Sequence, residues 1–390
     1  MKEGWEYKTL GEVCKIYNGN SINADYKKKH FLGATGGLPF IATKDVSPLG
    51  TIDYNNGVRI PNYEEYKVAP ANSVFICAEG GSAGKKFAYV EKDVCFGNKL
   101  FCITPKDKAI KGKFIYHFVQ SDNFRGQFFS LLTGLIGGVS AKKFQKIEIP
   151  VPSLSEQQSI VDYLDSAFAK IDAMKANAEK ALNEAKALFQ ASLKEMLEPK
   201  EGWEEKTLGD MCEIKSNLVD PTEVQYKNLL HVGGANIVSE TGELIDLKTA
   251  AEEELTSGKF TFDDKDVLYN KIRPYLVKVS RPDFSGLCSA DMYPLTSKKG
   301  MTRDYLYYIL VSRDFTDYAI MNSARAGMPK LNRQSLFAYK CMIPTLSEQQ
   351  SIVETLDSLK SKVDRLQENY AKISQECDAL KQAILRQVFE

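Results

Sequence analysis

The residue types that usually carry catalysis are scarce in this sequence and stand in unsuitable patterns. The three histidines, His30, His117 and His231, are isolated from one another, which excludes an HExxH zinc site and disfavours a Ser-His-Asp triad. The segment EGGSAGKK at 79–86 looks like a phosphate-binding loop, but it has one residue too few between its glycines, and Lys86 stands where Ser or Thr would bind Mg²⁺. Its flanks look like strands, so we predict a glycine-rich hairpin there.

Motifs of DNA-modifying enzymes are also missing from the sequence. It has no glycine-rich methyl-donor loop and no Asn/Asp-Pro-Pro-aromatic motif for amino methylation. PNYEEYK at 61–67 holds acids and a lysine of the kind a nuclease uses, but such clusters are common in solvated loops. We therefore predict a chain that is not an enzyme, with no catalytic residue, cofactor or metal of its own. A stand-alone methyltransferase or nuclease is the weakest alternative.

A larger set of polar side chains has the types that bind nucleic acid. Lys and Arg neutralise phosphates, and Arg, Asn and Lys also read base edges in the major groove. The candidates recur at matching places in two halves of the chain, in glycine-rich connections or just after predicted strands. In the first half they are Thr43, Lys44, Ser82, Lys85, Lys86, Asn98, Lys99, Ser140, Lys142 and Lys143. In the second half they are Asn236, Asn270, Lys271, Arg273, Tyr275, Arg325, Lys330, Asn332 and Arg333.

Two pairs of near-identical segments show that the chain contains an internal duplication. KEGWEYKTLGEVCKI at 2–16 returns as KEGWEEKTLGDMCEI at 200–214, and PSLSEQQSIVDYLDS at 152–166 returns as PTLSEQQSIVETLDS at 344–358. The offsets are similar, so one unit of just under 200 residues is repeated, with middles that diverge strongly. The predicted domains are 1–152, a central helix at 153–199, a second domain at 200–344, and a C-terminal helix at 345–390.

Each LSEQQ segment opens a long helix with heptad periodicity. Ser155 with Gln158, and Ser347 with Gln350, match a capping box. The period predicts a seam that is strict in the second helix and rich in alanine in the first. Its larger residues are Ile160, Leu164, Ile171, Met174 and Leu188, and then Ile352, Leu356, Leu359, Val363, Leu366, Tyr370, Ile373, Leu380 and Ile384. A helix of this length spans about 65 Å, so we predict an antiparallel intramolecular coiled coil rather than two separate surface helices.

Apolar residues outside the seam leave a second use of these helices open. Val161, Phe168, Phe189, Val353 and Val388 suit packing on the globular domains or docking of a partner helix equally well. The domains themselves carry short β-branched and aromatic runs such as SVFICA at 73–78 and DVLYNKI at 266–272. Helical spacing at 113–132 and 302–321 makes each domain α+β.

Composition places the chain among ordinary globular proteins. It is 43% hydrophobic and 26% charged, with scattered cysteines and neither a 20-residue apolar run nor a leader-like start, so we expect a cytoplasmic protein with reduced thiols and no membrane contact. The zero net charge is unevenly spread. Residues 1–152 carry +7, against −3, −2 and −2 for the three following segments, so the first domain is the basic one. The second domain has a local basic run through Lys271, Arg273, Lys278 and Arg281.

Together these motifs closely resemble the specificity subunit of type I restriction–modification systems. The resemblance rests on the GW-x-x-KTLG openings, the VFICAEGGSAGK and VLYNKIRPYLVKV segments, GMPKLN, and the repeated LSEQQ before a long helix. It implies two tandem α/β target-recognition domains with pseudo-twofold symmetry, each reading one half of an asymmetric DNA sequence. The helices then act as a spacer, which limits the separation of the domains to below about 20 base pairs.

The resemblance also implies partners. Two methyltransferase subunits with S-adenosylmethionine, and restriction subunits that use ATP and Mg²⁺, are expected to dock on this chain, which itself binds double-stranded DNA. A specificity subunit of a methylation-only system is the main alternative, and a coiled-coil scaffold that binds only proteins is a weaker one.

Overall fold

Contacts divide the chain into two units, and each unit combines a globular domain with one half of both long helices. The first unit comprises Met1–Ala178 and Ala371–Glu390, and the second comprises Glu179–Tyr370. The computed structural model describes residues 4–133, 137–214, 217–323 and 328–390.

The domain of the first unit is an α+β structure. Its described strands form sheets in the orders β2-β9-β6-β7, β4-β3-β8-β5 and β1-β10. The strands are β1 (Glu6–Thr9), β2 (Cys14–Asn18), β3 (Leu38–Ile41), β4 (Arg59–Ile60), β5 (Val68–Ala69), β6 (Ser73–Cys77), β7 (Phe87–Val90), β8 (Val94–Phe96), β9 (Leu100–Pro105) and β10 (Glu148–Val151). The short helices are α1 (Leu10–Val13), α2 (Ala24–His30), α3 (Gly112–Phe118), α4 (Asp122–Ser130) and α5 (Ala141–Phe144), and the long helix α6 (Leu154–Leu197) follows.

The second unit has the same plan. Its described strands form sheets in the orders β12-β20-β17-β18, β13-β16-β19-β14-β15 and β11-β21. The strands are β11 (Glu204–Thr207), β12 (Cys212–Glu213), β13 (Leu218–Val219), β14 (Leu230–Val232), β15 (Lys248–Thr249), β16 (Lys259–Phe262), β17 (Asp266–Asn270), β18 (Val279–Ser280), β19 (Gly286–Cys288), β20 (Met292–Ser297) and β21 (Lys340–Ile343). The helices are α7 (Leu208–Met211), α8 (Arg303–Val311), α9 (Arg313–Met321), α10 (Arg333–Phe337) and the long α11 (Leu346–Phe389).

The duplication extends through the middles, where the two sequences have diverged. Strands β3, β8, β9 and β10 begin 192 residues before β14, β19, β20 and β21, and α5 begins 192 residues before α10. The copies differ most between β2 and β3, where the first unit carries α2 and residues 217–229 of the second form β13 and turns. The two domains are therefore one fold with different surfaces.

A buried glutamine in each LSEQQ motif joins the long helix to its domain. Gln157 accepts a hydrogen bond from the backbone of Lys111 at 2.9 Å and donates to the carbonyls of Ala109 and Pro152, each at 2.9 Å. Gln349 repeats the arrangement with the backbones of Thr302, Gly300 and Pro344. Both side chains are fully buried. The repeated motif therefore forms the same joint between helix and domain in each unit.

Replacing Gln157 by alanine should therefore destabilise the first unit by about 3 kcal/mol, because three buried backbone groups lose their partner. Gln158→Ala is the matched control, since Gln158 bonds only Asp162 at the surface, and it should change stability by less than about 0.5 kcal/mol. Trp5 lies in the first unit and hydrogen-bonds Glu156 at 2.8 Å, so urea unfolding followed by tryptophan fluorescence in a Trp203→Phe background reports this unit. Equal midpoints for the two variants would contradict the assigned joint.

A second joint is formed by an aspartate about three turns from the start of each long helix. Asp165 accepts hydrogen bonds from His117 at 2.8 Å and Lys113 at 3.1 Å, and these bonds lower the pKa of its carboxyl group. Asp357, 192 residues later, accepts from Tyr308 and Arg281. Equivalent aspartates of the two long helices thus bind α3 in the first unit, and α8 together with the residue after β18 in the second.

The long helices pack antiparallel, as predicted. Within the first unit, Asp172 pairs with Lys381 at 2.5 Å and Lys175 pairs with Asp378 at 3.3 Å. The start of α6 therefore meets the end of α11. In the second unit, Leu193 near the end of α6 shares a buried cluster with Ile352 and Leu356 near the start of α11.

Four of the fourteen large residues predicted for the seam were wrong, because they face solvent. Leu164, Ile171, Ile352 and Leu356 are buried, but Met174, Leu188, Leu366 and Leu380 are 58%, 61%, 37% and 47% exposed. Other positions of the two helices are buried instead, namely Val161, Phe168, Leu182, Val353 and Val388. Because each helix packs on its own domain as well as on the other helix, the buried face turns toward the domain. The Phe168 ring, for example, lies 5.6 Å from His117 and 5.3 Å from the Lys381 ammonium. Of the five apolar residues whose packing was left open, Val161, Phe168, Val353 and Val388 are thus buried within their own unit, and Phe189 is partly buried.

Several local predictions also needed correction. The helix caps are Ser153 with Glu156 and Thr345 with Glu348, two residues before the predicted boxes. The segments 113–132 and 302–321 each split into two helices, because Ser121 and Ser312 cap the second one. YLVKV at 275–279 is not a continuous strand, because a 3₁₀ turn (Pro274–Leu276) covers its start and only Val279 belongs to β18. The hairpin at 79–86 is confirmed, since β6 and β7 pair antiparallel on either side of it.

The eight cysteines are all free thiols. None of the described helices has the length and apolar character that crossing a membrane requires.

Candidate nucleic-acid interface

In the first unit, four connections that carry the predicted DNA-binding residues meet at one edge of the domain. The β6–β7 hairpin holds Ser82, Lys85 and Lys86. Its Ala78 amide donates to the carbonyl of Lys99 at 2.8 Å, which brings in the β8–β9 connection with Asn98. The Val139 amide donates to the carbonyl of Ala78 at 3.0 Å, which brings in Ser140, Lys142 and Lys143. Lys86 Nζ donates to the carbonyl of Thr43 at 3.1 Å, beside Lys44.

The second unit assembles the same edge from equivalent connections. The β17–β18 loop holds Lys271, Arg273 and Tyr275. The Leu331 amide donates to the carbonyl of Lys271 at 3.0 Å, and Ile272 pairs with Lys330, so Asn332 and Arg333 lie beside this loop. Lys278 Nζ donates to the carbonyl of Gly234, next to Asn236. Arg325, the remaining candidate, lies outside the described residues.

The β6–β7 hairpin of the first unit and the equivalent β17–β18 loop of the second differ in backbone conformation. In the first unit Gly80 and Gly84 adopt positive φ values of 80° and 68°, which cost glycine little. The equivalent residues, 193 positions later, are Arg273 and Val277, with φ values of 51° and 45°. A left-handed conformation costs such residues about 1–3 kcal/mol and persists only where the surroundings hold it. Here the Arg273 amide is held by the carbonyl of Pro329 at 2.9 Å.

Several candidate side chains also have structural roles. Asn236 accepts from the Gly233 amide at 2.8 Å and donates to the carbonyl of Ile245. Asn270 accepts from the Ile272 amide at 3.1 Å. Ser140 and Asn332 cap α5 and α10. Their side chains shape the edge of the domain, whatever else they contact.

The basic side chains at both edges are mostly exposed and unpaired. In the described part of the chain, Lys99 pairs with Glu79 at 3.6 Å, whereas no ion pair engages the other exposed cations of the two edges. These are Lys44, Lys85, Lys142, Lys143, Arg273, Lys330 and Arg333. One of them, Arg333, is the first residue of α10, where the helix dipole disfavours a cation. Helix stability therefore does not explain the position of Arg333.

Lys271 gives the second edge a buried charge. The residue is 8% exposed, and its ammonium donates to the carbonyl of Ala290 and lies 4.9 Å from the centre of the Tyr293 ring. Burial lowers the pKa of Lys271, and the positive charges of Lys330 and Arg333 lower it further. An anion bound near Lys271, Lys330 and Arg333 would reduce the repulsion among these positive charges.

The structure removes one residue from the basic runs seen in the sequence and adds three others. Arg281 belongs to the second joint rather than to the edge: it pairs with Asp304 at 2.8 Å and with Asp357, and its guanidinium lies 4.7 Å from the Tyr307 ring. Lys27, Lys28 and Lys29 of α2 form an exposed basic end near the first edge. Their run of three lysines was visible in the sequence and was missed.

Two of the three histidines have structural partners. His117 bonds Asp165, and His231 bonds Glu253 at 2.8 Å. Among the described residues there is no group of three His, Cys, Asp or Glu side chains that could hold a metal ion.

Comparison with known proteins defines the class to which this fold and these edges belong. The family model described as the type I restriction modification DNA specificity domain matches residues 2–184 and again 200–375. The chain therefore belongs to the type I restriction–modification DNA-specificity family, and it is a non-catalytic specificity subunit.

Individual relatives agree with this assignment. The specificity subunit of the type I restriction enzyme EcoDI from Escherichia coli is 28% identical over 370 residues, covering 81% of each chain. The StySPI specificity subunit from Salmonella potsdam is 25% identical and covers all of this chain and 89% of its own.

Solved structures share the fold. A chain from a study of complex assembly and conformational transition of the type I R-M system superposes with a TM-score of 0.76 at 19% identity, covering 100% of this chain and 98% of its own. The crystal structure of the HsdS subunit from Thermoanaerobacter tengcongensis gives a TM-score of 0.55 at 20% identity, covering 100% and 97%.

Proposed function

We propose that this chain recognises an asymmetric bipartite DNA target, with one half-site read by each domain. The observation that carries the proposal is the pair of equivalent edges with different side chains. The β6–β7 hairpin presents glycines and lysines in the first unit, whereas the equivalent β17–β18 loop presents Arg273, Tyr275 and the buried Lys271 in the second. Because base readout depends on the side chains presented to the groove, the two edges suit two different sequences.

In this proposal the paired helices are the spacer that fixes the gap between the half-sites. The antiparallel ion pairs and the glutamine joints support it, since they tie each domain to a defined position along the helices. Rigid spacing is what a split target with a constant gap requires.

We further propose that methyltransferase subunits, with S-adenosylmethionine, and restriction subunits, with ATP and Mg²⁺, dock on this chain. Membership in the family supports these partners. The net charge of zero also suits such an assembly, because partners that surround the DNA supply phosphate attraction that this chain lacks. The isolated chain should then bind DNA weakly, and the assembled complex should bind it tightly.

A selection from a random duplex library tests the proposal. The complex of this chain with its methyltransferase partner should enrich one split sequence, whereas the methyltransferase subunits alone should enrich none. If the chain is a protein scaffold, the two selections will give the same unbiased pool, and the proposal fails. Addition of the restriction subunits and ATP then separates a restricting system, which cleaves DNA, from a methylation-only one.

A further inference from the structure

Helix α2 is an exposed basic element with no counterpart among the described residues of the second unit. It has seven residues with none buried, and Lys27, Lys28, Lys29 and His30 occupy its last turn. Residues 217–229, which take the matching place in the second unit, include Asp220, Glu223 and Lys227. The insertion thus adds positive charge to one domain only.

The helix is anchored firmly to its domain. Asn23 caps it by accepting from the Asp25 amide at 2.8 Å. At the other end Phe31 is 7% exposed and packs in a cluster with Phe40, Val58, Ile60 and Cys95. The Arg59 amide donates to the carbonyl of Phe31 at 3.0 Å. The lysines are therefore presented from a fixed position.

That position is beside the candidate interface of the first unit. Three residues before the cap, Asn20 accepts from the Asn98 amide at 3.2 Å, and its own amide donates to the carbonyl of Phe96 at 2.9 Å. Lys27 Nζ lies 5.2 Å from the centre of the Phe40 ring, and Phe40 precedes the turn with Thr43 and Lys44. A helix of seven residues is about 10 Å long, or about three base pairs of DNA.

The charges of α2 are available to a ligand. In the described part of the chain no ion pair engages Lys27, Lys28 or Lys29, although Asp25 stands in the first turn of the same helix. Tyr26 is 49% exposed and stacks on His30 with ring centres 4.3 Å apart. Lysines at a helix C-terminus interact favourably with the helix dipole, so their position does not destabilise α2. Their mutual repulsion falls when phosphates bind.

We propose that α2 binds the sugar-phosphate backbone of double-stranded DNA just outside the half-site read by the first domain. The contact is independent of sequence and makes the first domain hold DNA more strongly than the second. This inference rests on the proposed function and adds to it a difference in DNA affinity between the two domains.

The test uses the complex of this chain with its methyltransferase partner and a 40-base-pair duplex that carries the selected target. The variant is Lys28→Gln with Lys29→Gln, which spares Lys27 because its ammonium lies over Phe40. The matched control is Lys170→Gln with Lys186→Gln, two exposed lysines of α6 with the same change in charge. Each released phosphate contact contributes about 0.9 to the slope of log Kd against log salt. The α2 variant should therefore lower this slope by about 2, and the control should leave it unchanged.

Hydroxyl-radical footprinting gives a second readout, in which the α2 variant should lose backbone protection outside one half-site only. A slope and footprint equal to those of the unmodified complex would overturn the role of α2 while the preference for the target remained. A complex that shows no preference for the target before any substitution would instead overturn the proposed function itself.

Discussion

Replacing Arg273 by glycine is expected to weaken DNA binding about 10- to 100-fold and to relax recognition of one half of the target, with little effect on folding. Arg273 is exposed at the second edge, and loss of an arginine contact to a base pair removes about 1–3 kcal/mol of discrimination. Glycine already occupies the equivalent place in the first unit as Gly80, with the same sign of φ. Relief of left-handed strain and the extra freedom of glycine in the unfolded chain oppose each other, so stability should stay within about 1 kcal/mol.

The loop supplies its own control for this substitution. Val277→Gly changes the second left-handed residue of the loop, which matches Gly84, without removing a charge. It should leave both half-sites intact. Binding selections with the two variants and thermal unfolding of each form the measurement. Equal loss of binding in both would mean that the loop conformation, and not the arginine, carries recognition.

The complementary change belongs to the first unit. Lys85→Ala with Lys143→Ala removes two exposed charges from the other edge and should weaken binding through the other half-site. If each domain reads its own half, the Arg273 and Lys85/Lys143 variants lose information at different positions of the target. Loss at the same positions would contradict the division of labour.

Insertion of one heptad into each long helix is expected to lengthen the gap of the target by about three base pairs while both half-sites stay the same. Seven residues add about 10.5 Å to a helix, and DNA rises about 3.4 Å per base pair. The insertions belong after Ala178 and after Tyr370, because the division between the two units falls at these points. There they leave the glutamine joints and the Asp172–Lys381 and Lys175–Asp378 pairs untouched.

A chain with the insertion in only one helix is the control. Its two helices no longer match in length, so the helix packing of one unit must break, and the target should be lost rather than lengthened. A doubly extended variant that folds, binds its partner and still reads the original gap would show that the helices do not set the spacing.

The sequence predicted the architecture well because the duplicated segments are the ones that the fold uses in the same way twice. Gln157 and Gln349 make the same three hydrogen bonds, and their neighbours are near-identical in sequence. The antiparallel coiled coil followed from heptad periodicity. The hairpin at 79–86 followed from its glycines and from the strands beside them.

The buried face of the long helices and the roles of Arg281 and Arg273 depend on tertiary contacts, which sequence periodicity does not reveal. Met174 and Leu188 fit a heptad, but each long helix also packs on a domain, and this turned the buried face toward Val161 and Phe168. Arg281 looked like part of a basic run, but it forms an ion pair with Asp357, which is distant in sequence. The left-handed Arg273 was unpredictable because its conformation depends on the amide contact with Pro329.

The candidate interface was predictable as a set of connections and less so as individual side chains. Recurrence of Lys, Arg and Asn at matching places indicated a set of loops, and the structure brings the described ones together within each unit. Hydrogen bonds to the backbone then show that Asn236 and Asn332 hold the loops in shape, which residue type alone does not reveal. The α2 lysines were missed because no similar run occurs in the second half.

Base-modification sequencing of a host genome, with and without this chain, tests the central claim most directly. The claim is that two domains of one fold read two different half-sites at a fixed separation. We expect methylation that depends on the chain at a single split sequence with unlike halves and a constant gap. A palindromic target, or methylation that persists unchanged without the chain, would contradict the claim.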